Sequence, residues 1–446
     1  MSTFLGLIEE IPGISVDRFD GDNLTSSVFF LSHFHLDHME GLSSTFFAHL
    51  EEYKKHLYCS PITKVFLESA HNVKSSCVKG IDIDTPTVIE YKVESEGEIL
   101  ISVTCISAGH CLGSVMFLFE RNGASILYTG DFRINPIDFP KLKGLHYCQN
   151  KKLLPRTFTK VYLDTTFLSN EYPRFPTRKE GITKLNSVIR EWLSKNPRNV
   201  VILKCSARYS SEYLFIELSK QLKMKVHVKD DIYRNYCLIG ELSRHVTNEA
   251  NSTPIHACTA KNYSGLYCRR DLTGANILTI VPSAIRWRNK DTSIVGEWDR
   301  FEKRTFNICY SMHASFEELK AFVRYFNPLK VHPCVAKPAQ EKEIYSLLDE
   351  ITKTPDKKET VRQAYTFDLS SRKISKKPPF RSKYFSKHLI FPTVCLQTEN
   401  FQSEPQHPWL VAKVCLLVVP CVSFFRINKK GGKRLTFLTH TSGNIW

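Results

Sequence analysis

Residues 31–41 read LSHFHLDHMEG. Three histidines and an aspartate fall within six positions, from His33 to His38, directly after the apolar run VFFL. In an extended segment side chains two apart point the same way, so His33 and His35 converge on one point. The chain then has to turn, and Asp37 and His38 face a second point. Imidazole and carboxylate are the ligands that suit zinc in a catalytic site, where one coordination position is left for water. The order H-x-H-x-D-H after a strand is therefore read as a metal motif, where a lone histidine would be read as a core or surface residue.

Three more ligand types end apolar runs: His110 in SAGHCLGS, Asp131 in YTGDFR and His313 in YSMHAS. Together with the first cluster they supply two metals. One takes His33, His35 and His110, the other takes Asp37, His38 and His313, and Asp131 bridges them with its two oxygens. Two such ions about 3.5–4 Å apart activate water near neutral pH and clamp the attacking and leaving oxygens of an in-line phosphoryl displacement.

Around these motifs the chain changes character once. Residues 1–155 read as short strands and turns, with SVFFLSH, HLYCS, ISVTCISAGH, SVMFLFE and ASILYTGDF ending in His, Ser, Gly or Asp, a β-rich scaffold that presents a site from its loops. From about 156 strands alternate with helices. KVYLDTTF is a strand. Ile182, Leu185, Val188, Ile189 and Trp192 then have helical spacing, with Thr177 as N-cap. NVVILKC is a buried strand and SSEYLFIELSKQLK a helix. This βαβα order predicts a parallel-sheet unit. After about 303 a strand, a loop and a helix follow, with Ser315 as N-cap and Glu318 at the capping-box position, and PLKVHPCVA is a last strand.

The stretches SHFHLDH, AGHCLGSVMFLFE, LYTGDFR, VYLDTTF and YSMHASFEEL, with the opening ISVDRFD, resemble the metallo-β-lactamase-fold nucleases of the β-CASP branch that act on DNA. The resemblance covers about residues 1–350, with the motifs in the family's order. It implies an α/β fold class: an α+β sandwich, αββα, with an inserted α/β β-CASP domain. The implied domains are 1–155 and 304–369 for the metallo-β-lactamase part, 156–303 for the insertion, and 370–446 as a basic tail. The family's metal residues carry over onto His33, His35, Asp37, His38, His110, Asp131 and His313. Asp17 matches a supporting carboxylate that orients ligands, and Asp164 the carboxylate after the first β-CASP strand. In part of the family the insertion holds a structural zinc on two His and two Cys, and His227, His256, Cys258 and Cys268 match those positions. One or two divalent ions are implied in the active site, with zinc expected and magnesium or manganese as alternatives.

The implied function is a metal-dependent DNA nuclease that cuts hairpins, overhangs and single-strand/double-strand junctions. It would process DNA ends in double-strand break repair by non-homologous end joining, including V(D)J-type hairpin opening. A 5′–3′ exonuclease of crosslink and telomere repair and an RNA-processing β-CASP nuclease are the alternatives, small-molecule hydrolysis is a further rival on this fold, and a catalytically silent DNA-end scaffold is the non-enzyme reading. Lys204 and Arg208 in LKCSARYSSE and Arg286 in PSAIRW are candidates to meet phosphates. The family's contacts with the DNA-dependent protein kinase catalytic subunit and a ligase complex go with a long Ser- and acid-rich C-terminal region. This chain has a short basic tail in its place, so those partners rest on the resemblance alone.

Composition agrees with a nucleic-acid partner mainly through that tail. Net charge is +16, and residues 370–446 carry 13 Lys/Arg against two Glu and no Asp, which is +11 of it. The 14 cysteines have no C-x-x-C pair and read as reduced thiols, a few of them on metal. MSTFLGLIEEIPG lacks the basic region of a secretory signal. WLVAKVCLLVVPCVSFF, 409–425, contains Lys413 and Pro420 and is expected to be a buried strand or an appendage, not a membrane span. Nuclear residence follows from the resemblance, with KKPPFRSK and KKGGKR as basic runs.

Overall fold

A computed structural model describes residues 2–71, 76–149, 152–205, 209–258 and 268–353. Arg208, the tail 370–446 and the apolar stretch 409–425 lie outside the described residues. Among those described, the strands form three sheets and one separate hairpin.

The first sheet is wholly parallel: β1 (Ile14–Val16), β2 (Val28–Leu31), β3 (His56–Cys59) and β4 (Val78–Gly80), in that order. Two helices, α1 (Ser44–Glu52) and α2 (Pro61–His71), connect its strands. The sequence reading expected only strands and turns here. The helix signals are short: Ser43 accepts from the Phe46 N–H as N-cap of α1, and Pro61 opens α2, where a missing N–H costs nothing. The chain continues through β5 (Thr87–Val93), β6 (Gly97–Ser107), β7 (Val115–Arg121) and β8 (Ala124–Tyr128), all antiparallel neighbours. The hairpin β9 (His146–Gln149) and β10 (Lys152–Pro155) follows. Then β11 (Lys160–Leu163) pairs parallel to β8.

From there the chain builds a second body. Helix α3 (Arg178–Lys195) starts in a complete capping box between Thr177 and Glu180. Strands β12 (Val200–Leu203), β13 (Val226–His227), β14 (Val246–Thr247), β15 (Ile255–His256), β16 (Ile277–Pro282), β17 (Gly296–Trp298) and β18 (Thr305–Ile308) form a seven-stranded sheet of order β14-β13-β15-β12-β16-β18-β17. All pairings but the β17 edge are parallel. Helices α4 (Glu212–Leu222), α5 (Asp230–Cys237) and α6 (Gly240–Ser243) lie between its strands in the chain. Helix α7 (Phe316–Phe326), again with a capping box from Ser315 and Glu318, leads back to β19 (Val331–Pro333), which pairs with β11, and α8 (Glu341–Lys353) ends the described part.

The change of sheet comes after Leu163 and again after Ile308, not at 156 and 303. KVYL belongs to the six-stranded sheet β19-β11-β8-β7-β6-β5, and TFNI belongs to the seven-stranded one. Alternation of strands and helices in sequence does not say which sheet a strand will join.

The two sheets of the first body pack face to face. Phe30 of β2 meets Phe117 and Phe119 of β7 at ring-centroid distances of 5.2 and 4.9 Å. Along β7 the faces alternate: Phe117 and Phe119 point into this inter-sheet core, while Met116 and Leu118 point to the other face, against Leu319, Phe322 and Phe326 of α7 and Ile344 and Leu347 of α8. On the far side Phe29 packs against Phe46 of α1 at 5.0 Å. The layers are therefore helix, sheet, sheet, helix. A strand buried on both faces is apolar throughout, which is why VMFLFE shows no polar alternation.

Candidate metal centre

The loops at the strand ends carry the site. His33 follows β2, His38 sits on the 3-10 turn Leu36–His38, His110 follows β6, Asp131 follows β8, Asp164 follows β11 and His313 follows β18. The structure brings these side chains together. Asp131 Oδ2 lies 3.3 Å from His38 Nε2, 3.6 Å from His33 Nε2, 3.6 Å from His110 Nε2 and 3.8 Å from His313 Nε2. His35 Nδ1 lies 3.0 Å from His33 Nε2 and 3.2 Å from His110 Nε2. A ring proton or a shared cation can bridge such contacts between imidazole nitrogens. The donors overlap in groups: His33, His35 and His110 with Cys111, His110 with Asp131 and His313, and Asp17 with His33 and His38. Cys111 brings its sulfur within 4.8 Å of the donor atoms of His33, His35 and His110, a neighbour that sequence reading passed over. Asp37 is half-buried, and its charge acts on His35.

Behind each imidazole a partner fixes the ring. Asp17 has a left-handed backbone at φ 56°, a conformation aspartate tolerates better than most residues. Its carboxylate accepts from the Ser32 N–H at 2.7 Å, the Ser32 hydroxyl at 2.6 Å and the Tyr128 hydroxyl at 2.8 Å, and it faces His38 Nδ1 at 2.8 Å. Asp164 does the same for His313 Nδ1 at 2.9 Å and is itself held by the Thr166 N–H and hydroxyl. His110 Nδ1 donates to the Met312 carbonyl at 3.0 Å, and His35 Nε2 to the Tyr209 carbonyl. The last contact comes from the inserted body, and nothing local in the sequence announces it. Second partners of this kind fix the tautomer and aim the free nitrogen.

Burial pushes His33, His35 and His110 below the ordinary imidazole value, His33 and His110 well below it, so these rings present lone pairs at neutral pH. For His38 and His313 burial acts the same way, but Asp131 with Asp17, and Asp131 with Asp164, outweigh it and hold both rings above that value. Burial would raise Asp131, yet His38 and His313 hold it well below the carboxylate range. His38 Nε2 is buried without a hydrogen-bond partner. A buried orphan nitrogen beside an ionised carboxylate fits a divalent cation, which would replace the protons that the cluster otherwise has to bind.

A second cluster lies in the inserted sheet. His227 ends β13 and His256 ends β15, with Nδ1 atoms 3.2 Å apart, and Cys258 and Cys268 approach at 3.4 Å between sulfurs. Cys268 Sγ is 3.5 Å from His256 Nδ1. The Cys258 thiol, His227 and His256 pull Cys268 down to about 3, while the same contact with Cys268 raises Cys258. All four donor atoms lie within 4.8 Å of one another, and His256 Nε2 is buried without a partner. Two thiols and two imidazoles are a complete tetrahedral set for zinc, with no position left for substrate.

Of the expected phosphate contacts, Lys204 is exposed just past β12, and Arg286 is exposed on the 3-10 turn Ile285–Trp287 after β16, 3.8 Å from Asp299. Both lie beyond the C-terminal ends of parallel strands, as does the loop that carries His313, so the three occupy one edge of the inserted sheet.

A family model described as DNA repair metallo-β-lactamase matches residues 240–338. The chain is 39% identical over 352 residues to protein artemis of Homo sapiens, a match that covers 75% of this chain and 49% of that one. It is 35% identical over 352 residues to protein artemis of Danio rerio, covering 75% and 53%. It is 30% identical over 334 residues to the DNA cross-link repair 1A protein of Mus musculus, covering 72% and 30%. The chain spans about half the length of the artemis proteins it matches.

Proposed function

The chain belongs to the DNA-repair metallo-β-lactamase family, and from that premise we propose that it is a metal-dependent DNA nuclease that processes ends in double-strand break repair by non-homologous end joining. The observation that carries the reading is the convergence of four imidazoles on Asp131 Oδ2 within 3.3–3.8 Å. Divalent ions held there, zinc by the nature of the donors or else magnesium or manganese, would supply Lewis acidity and lower the pKa of water.

The chain's own residues do the rest. His33, His35 and His110 stay neutral and offer nitrogen lone pairs. Asp131 faces His33, His38, His110 and His313, and Asp17 and Asp164 hold the outer nitrogens of His38 and His313 so that Nε2 faces inward. Lys204 and Arg286, at the neighbouring sheet edge, meet backbone phosphates on either side of the cut. Water adds to phosphorus, the bond to the 3′-oxygen breaks, and that oxygen takes up a proton, which leaves 5′-phosphate and 3′-hydroxyl ends. Phosphate contacts position but do not specify, so the expected cleavage is salt-sensitive and nearly indifferent to sequence.

The substrates in this reading are DNA hairpins, overhangs and single-strand/double-strand junctions. DNA-dependent protein kinase catalytic subunit and ligase contacts, and nuclear residence, belong to the same proposal by resemblance. The second cluster is proposed as a structural zinc site. The test is cleavage of labelled DNA hairpin, overhang and matched RNA by the purified protein beside an Asp131→Asn variant. Hairpin and overhang cutting that disappears in the variant supports the reading. Trimming from 5′ ends alone would move it to an exonuclease, cleavage of RNA alone would overturn the substrate, and a variant that cuts as well as wild type would overturn the metal site.

A further inference from the structure

We infer that Arg133 is a positioning residue that sets His313 against Asp131 and thereby controls the second metal; the inference rests on the two-metal reading above. Arg133 stands two residues after Asp131 and is 7% exposed. Its Nε donates to both Glu318 oxygens at 3.2 Å, Nη1 to the Ser311 carbonyl at 3.0 Å, and Nη2 to the Pro176 carbonyl at 2.9 Å. Its backbone N–H donates to the Ala108 carbonyl at 3.1 Å, and the Ala314 N–H donates to the neighbouring Phe132 carbonyl at 2.9 Å.

These contacts reach three different parts of the molecule. Ala108 precedes His110 by two residues. Ser311 precedes His313 by two, and its hydroxyl closes a small turn by donating to the His313 carbonyl and accepting from the His313 N–H, at 2.7 and 3.1 Å. Pro176 is the last step before the capping residue of α3, the entry into the inserted body. The Arg133 backbone N–H thus ties the Asp131 loop to the His110 loop, and its buried guanidinium ties it to the His313 loop and to the segment that enters the inserted body. Only arginine does this with one side chain: its planar fork spreads five donors over three directions, whereas a lysine ammonium has three on one atom. The close fit also extends to Gly109, where a Cβ would come 2.7 Å from the Arg133 carbonyl at a backbone φ of +62°. Arg133 touches neither donor nitrogen nor substrate. It acts through the backbone of the loop that carries His313, and it acts before any metal is bound.

The experiment is a stepwise Co²⁺ titration of metal-stripped protein followed by visible absorption, with near-ultraviolet sulfur-to-metal bands marking the Cys258/Cys268 cluster separately. In Arg133→Lys the first imidazole step is expected at wild-type affinity and the second weakened about tenfold or more, the scale of lost outer partners at metal sites, with excess Co²⁺ restoring occupancy. Two unchanged steps in the variant would overturn the inference while leaving the two-metal reading intact. A single imidazole step in wild type would remove that reading and the inference with it. A role in stability alone would lower the melting temperature without separating the steps, and that outcome also overturns it. Should Arg133→Lys not fold, hydrogen exchange of the wild type decides. Protection of residues 309–316 that survives removal of the metals supports Arg133 as the holder of the loop, and protection that vanishes with the metals overturns it.

Discussion

The chain holds two histidine-rich clusters, and they differ in what stands around the imidazoles. In the first, the outer nitrogens of His38 and His313 are held by carboxylates, those of His35 and His110 by carbonyls, and Asp131 faces four imidazoles. In the second, two imidazoles face two thiols, and the four donors close on themselves. The first set is assembled from loops of both bodies, while the second lies within one sheet and the loop beside it. Donor chemistry alone would call both metal sites. On the proposal above, the first takes part in chemistry and the second in stability, and these different surroundings are what support it.

The comparison is broken most directly at Asp131. Asp131→Asn is expected to lower DNA cleavage by about a thousandfold or more, at or beyond the loss of a single electrostatic stabiliser in other enzymes, with the fold retained by circular dichroism. The mirror experiment is Cys268→Ser. It should cost one equivalent of bound metal and about 3 kcal/mol or more of stability, the upper part of the range for single substitutions, while the folded fraction still cuts DNA. Loss of cleavage with an unchanged melting temperature would invert the assignment of the two clusters.

A smaller effect sharpens the contrast by pH. His33, His35 and His110 are held below the ordinary imidazole value, so an unfolded chain protonates them first, and metal-free stability falls as pH drops below about 6.5. Cys268, lowered to about 3, adds a slope of the same sign below the unfolded thiol value of about 8.5. His38 and His313 are held above the ordinary value, so their contribution is complete below about 6.5 and is lost as pH rises through their raised values. Chelated protein should therefore lose melting temperature more steeply on the acid side of about pH 6.5 than on the alkaline side, by a few degrees at about 2–4 °C per kcal/mol. Melting scans with and without chelator read this, and a flat acid limb would contradict the buried neutral histidines.

The smallest expected effect tests the exposed bases at the neighbouring end of the inserted sheet. Lys204→Ala and Arg286→Ala should each reduce the salt slope of DNA binding by about one, with folding changed by no more than about 0.5 kcal/mol. DNA titrations across salt concentration would show it. An unchanged slope would remove these residues from the DNA path.

Much of this was legible in the sequence because it is local. His33 to His38 sit in one stretch, and Thr177 with Glu180 and Ser315 with Glu318 announce their helices three residues apart. The convergence of His110, Asp131 and His313 was legible from their place at strand ends, since apolar runs with polar ends are how a buried sheet presents a site. What stayed hidden depends on distant segments. That KVYL joins the six-stranded sheet follows from its pairing with Ala124–Tyr128 and Val331–Pro333, which no spacing encodes. The hold of the Tyr209 carbonyl on His35 joins residues 174 positions apart through a main-chain atom that has no residue signature. Arg133 lay in a quoted motif, but its partners at 176, 311 and 318 exist only in the fold.

The pairing of β11 with β19 has a further consequence. Val161 lies opposite Val331 in adjacent strands, and the Thr3 N–H donates to the Cys334 carbonyl. During synthesis from the N-terminus, the six-stranded sheet cannot close this edge until residue 334 has left the ribosome. The inserted body, whole before that point, can fold first, and each halving of the free loop that remains recovers about 0.6 kcal/mol of closure entropy. His313 arrives with the returning chain, while His33, His110 and Asp131 have been waiting on earlier strands. The donor cluster is therefore complete only once the returning chain is in place, so its assembly reports on the docking of segments far apart in synthesis.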